Sequence, residues 1–154
     1  MNVLLQQFAR RRKAGVVVFL VVYSLLIPFR DTAAQVVIAH PSVAADSVSR
    51  TALRAIFSGR LQSLGGQRLT VFVYSDRDPL HEAFSKEILG VFPYQLRDAW
   101  NRAVFAGTGA APVTVASEAE MLGRVAQTIG AIGYVAESIP HEGVRFLAIE
   151  GATR

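Results

Sequence analysis

The chain has 154 residues, carries 16 Lys and Arg against 12 Asp and Glu, and contains no cysteine. The lack of cysteine excludes disulfides and thiolate metal sites. Five of the 16 basic residues and only one of the 12 acidic residues lie in the first 34 positions. Residues 35–154 therefore hold 11 of each and carry no net charge. The formal charge of +4 therefore gives no indication of nucleic-acid binding, and we expect no nucleic-acid partner.

The first 34 residues have the layout of a secretory signal peptide. A basic cluster, Arg10 to Lys13, precedes an apolar run from Ala14 to Phe29, and small residues follow at Thr32 to Ala34. This pattern predicts cleavage before Gln35 and a domain that folds outside the cytoplasm, in the periplasm or an equivalent compartment. An uncleaved membrane anchor is the alternative, although 16 apolar residues are fewer than the roughly 20 that span a bilayer.

The segment that follows, residues 35–154, has a length typical of one domain. Its first apolar run, Gln35 to His40, predicts a buried strand. A short helix follows, which Ser47 or Ser49 caps and Gly59 ends. The buried face of this helix is formed by Leu53, Ile56 and Phe57.

A polar turn joins the next strand to the next helix. Residues Leu69 to Ser75 alternate apolar and β-branched side chains, which predicts the strand. Asp78 caps the helix, and Pro79 fits its first position because the N–H that proline lacks is not used there. The helix is predicted to end at Gly90, with a core stripe formed by Leu80, Phe84 and Ile88.

The rest of the chain continues the alternation of helices and strands. A third helix is predicted from Pro93 to Ala106, with an inward face of Leu96, Trp100 and Val104. Ser117 and Glu120 form a capping box, each side chain bonding the other residue's N–H, that starts a fourth helix. The remaining strand candidates are Val113 to Val115, Gly130 to Val135 and Val144 to Ile149. The pattern predicts an α/β fold with one mixed sheet flanked by helices.

Four segments carry a family resemblance: Leu53 to Gly59, Val71 to Asp76, the Trp100 helix with its glycine-bearing loop, and Thr128 to Val135. They follow one another in the order seen in phosphate-type substrate-binding proteins of ABC transporters. The chain resembles a short, one-lobe relative of that family over about residues 36–137. The resemblance implies a single lobe of a type 2 periplasmic-binding-protein-like fold, and it agrees with secretion.

The resemblance also shows departures. The family closes two lobes around an anion, whereas residues 35–154 hold the equivalent of one. Where the family has an Arg and then Asp-Gly-Ser-Gly-Thr leading into a helix, this chain reads Tyr74-Ser-Asp-Arg-Asp-Pro-Leu80, and only Asp76 matches. A phosphate at that helix N-terminus would meet the Asp78 carboxylate and would find no N–H on Pro79.

The candidate ligand-binding residues lie in this turn and in two loops. In the turn they are Ser75, Asp76, Arg77, Asp78 and His81. Arg77 can reach an oxyanion, and Ser75 and His81 can donate hydrogen bonds to it. The loop residues are His40, Ser42 and Thr108, which are expected at the ends of neighbouring strands, where α/β folds often bind ligands.

A purely structural interpretation of the same residues is open beside this one. The polar groups of the turn then satisfy backbone groups between a strand and a helix. His40, His81 and His141 share no ligand spacing, so we expect no metal site and a surface position for each histidine. We also expect no cofactor.

Three functions remain. The first is an extracytoplasmic solute-binding module that recognises phosphate or another small anion and serves a membrane transporter or sensor. The second is an accessory or sensory interaction module that has kept the lobe but lost the ligand. The third, a hydrolase using Ser75, His81 and Asp76 or Asp78, is disfavoured because these residues are crowded and no Gly-x-Ser-x-Gly elbow exists. The sequence therefore favours a non-enzyme.

Overall fold

A computed structural model describes residues 35–136 and 141–151. The signal-peptide segment, residues 1–34, lies outside the described residues, so its assignment stays a prediction. Within the two described ranges, no helix combines the length and the apolar character needed to span a membrane.

Strands and helices alternate along the chain as the sequence predicted. The strands are β1 Val36–Ala39, β2 Ser47–Ser49, β3 Ser63–Leu64, β4 Gln67–Arg68, β5 Thr70–Val73, β6 Val113–Thr114, β7 Ala131–Val135 and β8 Arg145–Glu150. The helices are α1 Arg50–Phe57, α2 Pro79–Ala83, α3 Pro93–Phe105 and α4 Glu118–Gln127, and a π-helical turn, Phe84–Leu89, continues α2. Within the described residues, one sheet has the order β2-β8-β1-β7-β5-β6, and β3 pairs with β4.

The sheet is mixed, and strand direction decides which loops share an end of it. Strand β5 is parallel to both β6 and β7, with Val71 opposite Ile132. Strand β1 is antiparallel to β7, with Ala39 opposite Ile132 and Val36 opposite Val135. Strands β5 and β7 therefore finish at one end, which we name the carboxyl end of the sheet, and β1 finishes at the opposite end.

Helix α1 forms and packs as its sequence predicts. The Ser49 hydroxyl accepts the N–H of Ala52 at 3.2 Å, which confirms Ser49 as the cap, and Ser47 lies in β2. The buried residues of the helix are Leu53, Ile56 and Phe57. Trp100 of α3 is 8 % exposed and donates its indole N–H to the Phe57 carbonyl at 2.6 Å, so it is a core residue that joins the two helices.

The predicted core stripe along the second helix is confirmed in part, because Leu80 and Ile88 are partly buried and pack against the core. The π-helical turn inserts one extra residue, so positions beyond Phe84 rotate relative to a regular 3.6-residue period. Leu89 is fully buried in place of Ile88, which is only partly buried. Phe84 keeps its predicted core position and stacks on Tyr134 with ring centroids 3.8 Å apart.

Two details of the later helices also differ from the prediction. Val104 is 46 % exposed because the segment from Val104 to Thr108 extends beyond the core and is exposed throughout. At the start of α4 the Ser117 hydroxyl accepts the N–H of Glu120 at 3.2 Å, as expected. The Glu120 carboxylate, however, reaches past Ser117 and accepts the N–H of Ala116 at 2.9 Å. The capping box is therefore shifted by one residue on its return bond.

Candidate functional site

The N-terminus of α2 is capped by a carboxylate from the turn that follows β5. The Asp78 Oδ1 atom accepts the N–H of Leu80 at 2.8 Å and of His81 at 3.3 Å. Pro79 occupies the first helical position and has no N–H to offer. The donors that an anion would need at this helix are already bonded to a negative charge.

Asp76 is fixed between two helices. Its carboxylate forms an ion pair with the Arg97 guanidinium of α3, and its Oδ1 atom lies 3.8 Å from the Nε2 atom of His81. Arg97 could not be predicted as a partner of Asp76, because this contact joins positions 21 residues apart on different elements. The pair neutralises the one residue of the turn that matches the family motif.

His81 lies in the interior, so the expectation of a surface position is wrong for this histidine. Its residue is 0 % exposed, and its Nδ1 atom lies 2.5 Å from the Tyr134 hydroxyl oxygen. That oxygen also accepts the N–H of Tyr74 at 3.3 Å. The Tyr134 hydroxyl thus links His81 to the backbone at Tyr74, while the Nε2 atom of His81 faces Asp76 and has no hydrogen-bond partner among the described residues.

Burial sets the ionisation of this cluster. It lowers the pKa of His81 below the usual 6.5, and the charges of Asp76 and Asp78 oppose that shift in part. Burial also raises the pKa of both Tyr74 and Tyr134 well above 10, with nearby carboxylates adding to the effect. At neutral pH the side chains of Tyr74, His81 and Tyr134 are therefore all uncharged.

Ser75 and Arg77 are exposed at the same end of the sheet. The Ser75 carbonyl accepts the N–H of Asp78 at 2.9 Å, which closes the turn. In the part of the chain that the structure describes, no hydrogen bond joins the Ser75 hydroxyl to His81. The arrangement lacks the nucleophile and base contact that a serine hydrolase needs.

His40 and Ser42 do not share a site with this turn. Because β1 is antiparallel to β7, both residues lie at the end of the sheet opposite to Ser75 and Asp78. The Ser42 hydroxyl accepts the N–H of Gly130 at 2.9 Å and lies 2.8 Å from His40 Nδ1. These bonds hold the β1 loop against the start of β7, which is a structural role.

Thr108 lies in a third region of the fold, away from the turn after β5 and from the β1 loop. Its hydroxyl donates to the Ala103 carbonyl at 3.3 Å, and it lines a cleft of about 610 Å³ between the end of α1 and the face of α3. Three arginines, Arg54, Arg60 and Arg102, line the same cleft. The sequence did not indicate that Arg54 and Arg102 lie together, because they are 48 positions apart on different helices. The eight predicted ligand residues thus divide among three regions of the fold.

Solved structures share this fold. An ABC-type phosphate transport receptor from Vibrio cholerae superposes with a TM-score of 0.59 and 16% identity, over 77% of this chain and 47% of that one. A Clostridium perfringens protein described as a phosphate ABC transporter substrate-binding protein, with phosphate bound, gives 0.58 and 16% over 77% and 46%. The fold is that of the periplasmic binding proteins. The chain spans about half the length of these neighbours.

These structural similarities establish the α/β architecture with its mixed sheet and flanking helices. Because the sequence identity is only 16%, they establish nothing beyond that architecture. No protein-family model matches the sequence. No curated protein matches it either. The neighbours are binding proteins, which agrees with the expectation of a non-enzyme.

Proposed function

We propose that this chain is an extracytoplasmic solute-binding module that recognises a small anion, phosphate or a chemical relative, and serves a membrane transporter or sensor. The observation that carries the proposal is the shared fold, which covers 77% of the chain and corresponds to about half of two phosphate-binding neighbours. The signal-peptide pattern in residues 1–34 supports the location independently.

A half-length module has a physical consequence for binding. An anion held on one wall keeps much of its hydration, and its contacts with protein charges are weakened by water and salt. A second wall, from a membrane partner or a second copy of the chain, would exclude that water. We therefore expect weak binding by the isolated chain and stronger binding in the presence of the partner.

The carboxyl end of the sheet favours a second candidate, an interaction module without a ligand there. Asp78 occupies the donors of α2, and Arg97 neutralises Asp76. Arg77 is the remaining cation of the turn, and it is exposed. If this end binds an anion, Arg77→Ala should weaken binding about tenfold or more, the loss of one charge-assisted hydrogen bond.

The first test concerns location and ligand. The full chain is expressed in a bacterial host, the cells are fractionated, and the mass of the protein in each fraction is measured by mass spectrometry. We expect a periplasmic species that begins at Gln35. The purified protein is then titrated with phosphate and sulfate by calorimetry, with the thermal midpoint recorded alongside. Saturable binding with a raised midpoint supports the anion-binding proposal. A cytoplasmic, uncleaved product contradicts the location.

The second candidate has a separate readout. Crosslinking in intact cells that express the full chain should recover a membrane protein if the module acts through a partner. A recovered partner together with no response to either anion favours the ligand-less module. Binding without any partner favours a free receptor.

A further inference from the structure

The cleft between α1 and α3 carries a concentration of positive charge that the carboxyl end of the sheet lacks. We name it the basic cleft, and define it by Arg54, Arg60, Arg102, Ser58 and Thr108, which line it. No Asp or Glu is among the described residues that line it. The cleft follows the face of α3 and is separate from the turn at Ser75 to His81.

The ends of the two helices do not account for these arginines. At the end of α1 the backbone N–H groups of Ser58 and Gly59 bond the carbonyls of Arg54 and Ile56, each at 3.0 Å. At the end of α3 the N–H of Ala106 bonds the Arg102 carbonyl in the same way, also at 3.0 Å. Because the backbone satisfies these last carbonyls, Arg60 and Arg102 are not needed as helix caps.

Existing contacts orient part of the cluster. The Arg54 Nε atom donates to the Leu89 carbonyl at 2.6 Å, and the Arg60 Nε atom donates to the Ser58 hydroxyl at 3.2 Å. Both bonds use Nε and hold the side chain in place, while the outer nitrogens of Arg60 make no hydrogen bond within the described residues. Arg60 and Arg102 therefore have donors to offer to a ligand.

No carboxylate within the described residues neutralises the cluster. None of the three cleft arginines has an Asp or Glu oxygen within 4.0 Å there, whereas Arg97, Arg124 and Arg145 each have such a partner. Cations gathered on one concave surface attract a counter-charge from solution. A bound anion would supply it.

We infer that the basic cleft binds a small, multiply charged phosphate, with Arg60 and Arg102 as the principal ligands. A guanidinium group matches the geometry of a phosphate group and can donate two parallel N–H···O hydrogen bonds to two of its oxygens. A cleft of about 610 Å³ lies in the range of small-molecule sites, and has more room than one inorganic phosphate fills. The inference deepens the proposed function by giving the anion a site away from the carboxyl end of the sheet.

The test uses pyrophosphate and inorganic phosphate as probes, with protein expressed from the full chain. Arg60→Ala and Arg102→Ala are compared with Arg50→Ala, a matched control that removes an exposed arginine of α1 outside the cleft, and with Arg77→Ala at the carboxyl end of the sheet. Calorimetry gives each Kd, and circular dichroism with the thermal midpoint verifies that each variant is folded. Arg102→Lys, which keeps the charge without the fork of donors, covers the case in which an alanine variant does not fold.

We expect pyrophosphate to bind more tightly than phosphate, and each cleft variant to raise the pyrophosphate Kd about tenfold or more. The control Arg50→Ala should leave the Kd within about twofold, and Arg77→Ala, which removes the cation of the competing site, should raise it less than either cleft variant. Loss of binding in Arg77→Ala alone overturns the inference and leaves the proposed function standing. Equal losses in all four variants show non-specific attraction and overturn it too. No binding of either probe by the unmodified protein contradicts both the inference and the anion-binding function, in favour of the ligand-less module.

Discussion

The Nδ1 atom of His81 lies 2.5 Å from the phenol oxygen of Tyr134, and both residues are 0 % exposed. The same oxygen accepts the backbone N–H of Tyr74, so one hydroxyl connects α2, β7 and the residue that follows β5. Phe84 stacks on the Tyr134 ring and closes the cluster from the π-helical turn. The polar group that holds the helix to the sheet is thus enclosed in aromatic packing.

The neutral state of His81 predicts a pH dependence of folding. Burial lowers its folded pKa below the usual 6.5, so the unfolded chain binds the proton first as the pH falls. The stabilisation is complete above about pH 6.5 and is lost as the pH falls from there through the folded pKa. Urea unfolding between pH 8 and pH 5 should show this decline in the unmodified protein and a flatter profile in His81→Gln. Parallel profiles would contradict the assignment. If the variant does not fold, the NMR titration of the His81 ring should have its midpoint below pH 6.5.

Two buried tyrosines offer a matched comparison. Tyr134→Phe removes the hydroxyl that bonds His81 and the Tyr74 N–H, and we expect a loss of about 1–3 kcal/mol in the free energy of unfolding. Tyr74→Phe removes a buried hydroxyl that has no hydrogen-bond partner among the described residues, so it should change stability by less than about 0.5 kcal/mol or raise it. Urea unfolding measures both. Equal losses in the two variants would mean that the hydroxyl bond of Tyr134 is not the source of the effect.

Local rules predicted the elements because their causes are local. Ser49, Asp78 and Ser117 start helices by accepting N–H groups two or three residues ahead, which can be read from the sequence. The short hairpin of β3 and β4 was not predicted, and Gly65 and Gly66 form its turn with φ of 57° and 81°. Strands of two residues leave no periodicity to detect.

The positions of candidate site residues could not be predicted in the same way. The direction of β1 depends on its pairing with β7 almost a hundred residues later, and that direction moves His40 to the opposite end of the sheet. The burial of His81 depends on its packing against Tyr134, which lies 53 residues later in the chain. The basic cleft combines arginines from different helices, which no sequence spacing reveals.

Two substitutions of Asp78, the N-cap of α2, should lower the free energy of unfolding by different amounts. Asp78→Ala removes the acceptor for the N–H groups of Leu80 and His81, and should lower the free energy of unfolding by about 1 kcal/mol. Asp78→Ser keeps a capping oxygen without the charge and should retain most of the stability. Thermal and urea unfolding of the two variants test the cap. A serine variant as unstable as the alanine variant would show that the carboxylate acts through its charge.

Gly130 and Gly66 separate the effect of backbone conformation from the effect of crowding. Both have positive φ, of 76° and 81°, which a residue with a side chain adopts at a loss of about 1–2 kcal/mol. A Cβ atom on Gly66 would meet nothing within 4 Å, whereas a Cβ atom on Gly130 would lie 2.1 Å from the Arg68 carbonyl oxygen. Backbone cannot move aside as a flexible side chain can, so Gly130→Ala must displace β4 or the start of β7.

We therefore expect Gly66→Ala to lower the free energy of unfolding by about 1 kcal/mol, and Gly130→Ala by about 3 kcal/mol or more. Urea unfolding of the two variants gives the difference, which isolates the close approach at Gly130. The displacement in Gly130→Ala should also break the bond from the N–H of residue 130 to the Ser42 hydroxyl. The hydrogen-exchange protection of that amide should therefore be lost in Gly130→Ala and kept in Gly66→Ala. Equal destabilisation by the two substitutions would show that conformation alone requires glycine at position 130, and that the contact with Arg68 relaxes without loss.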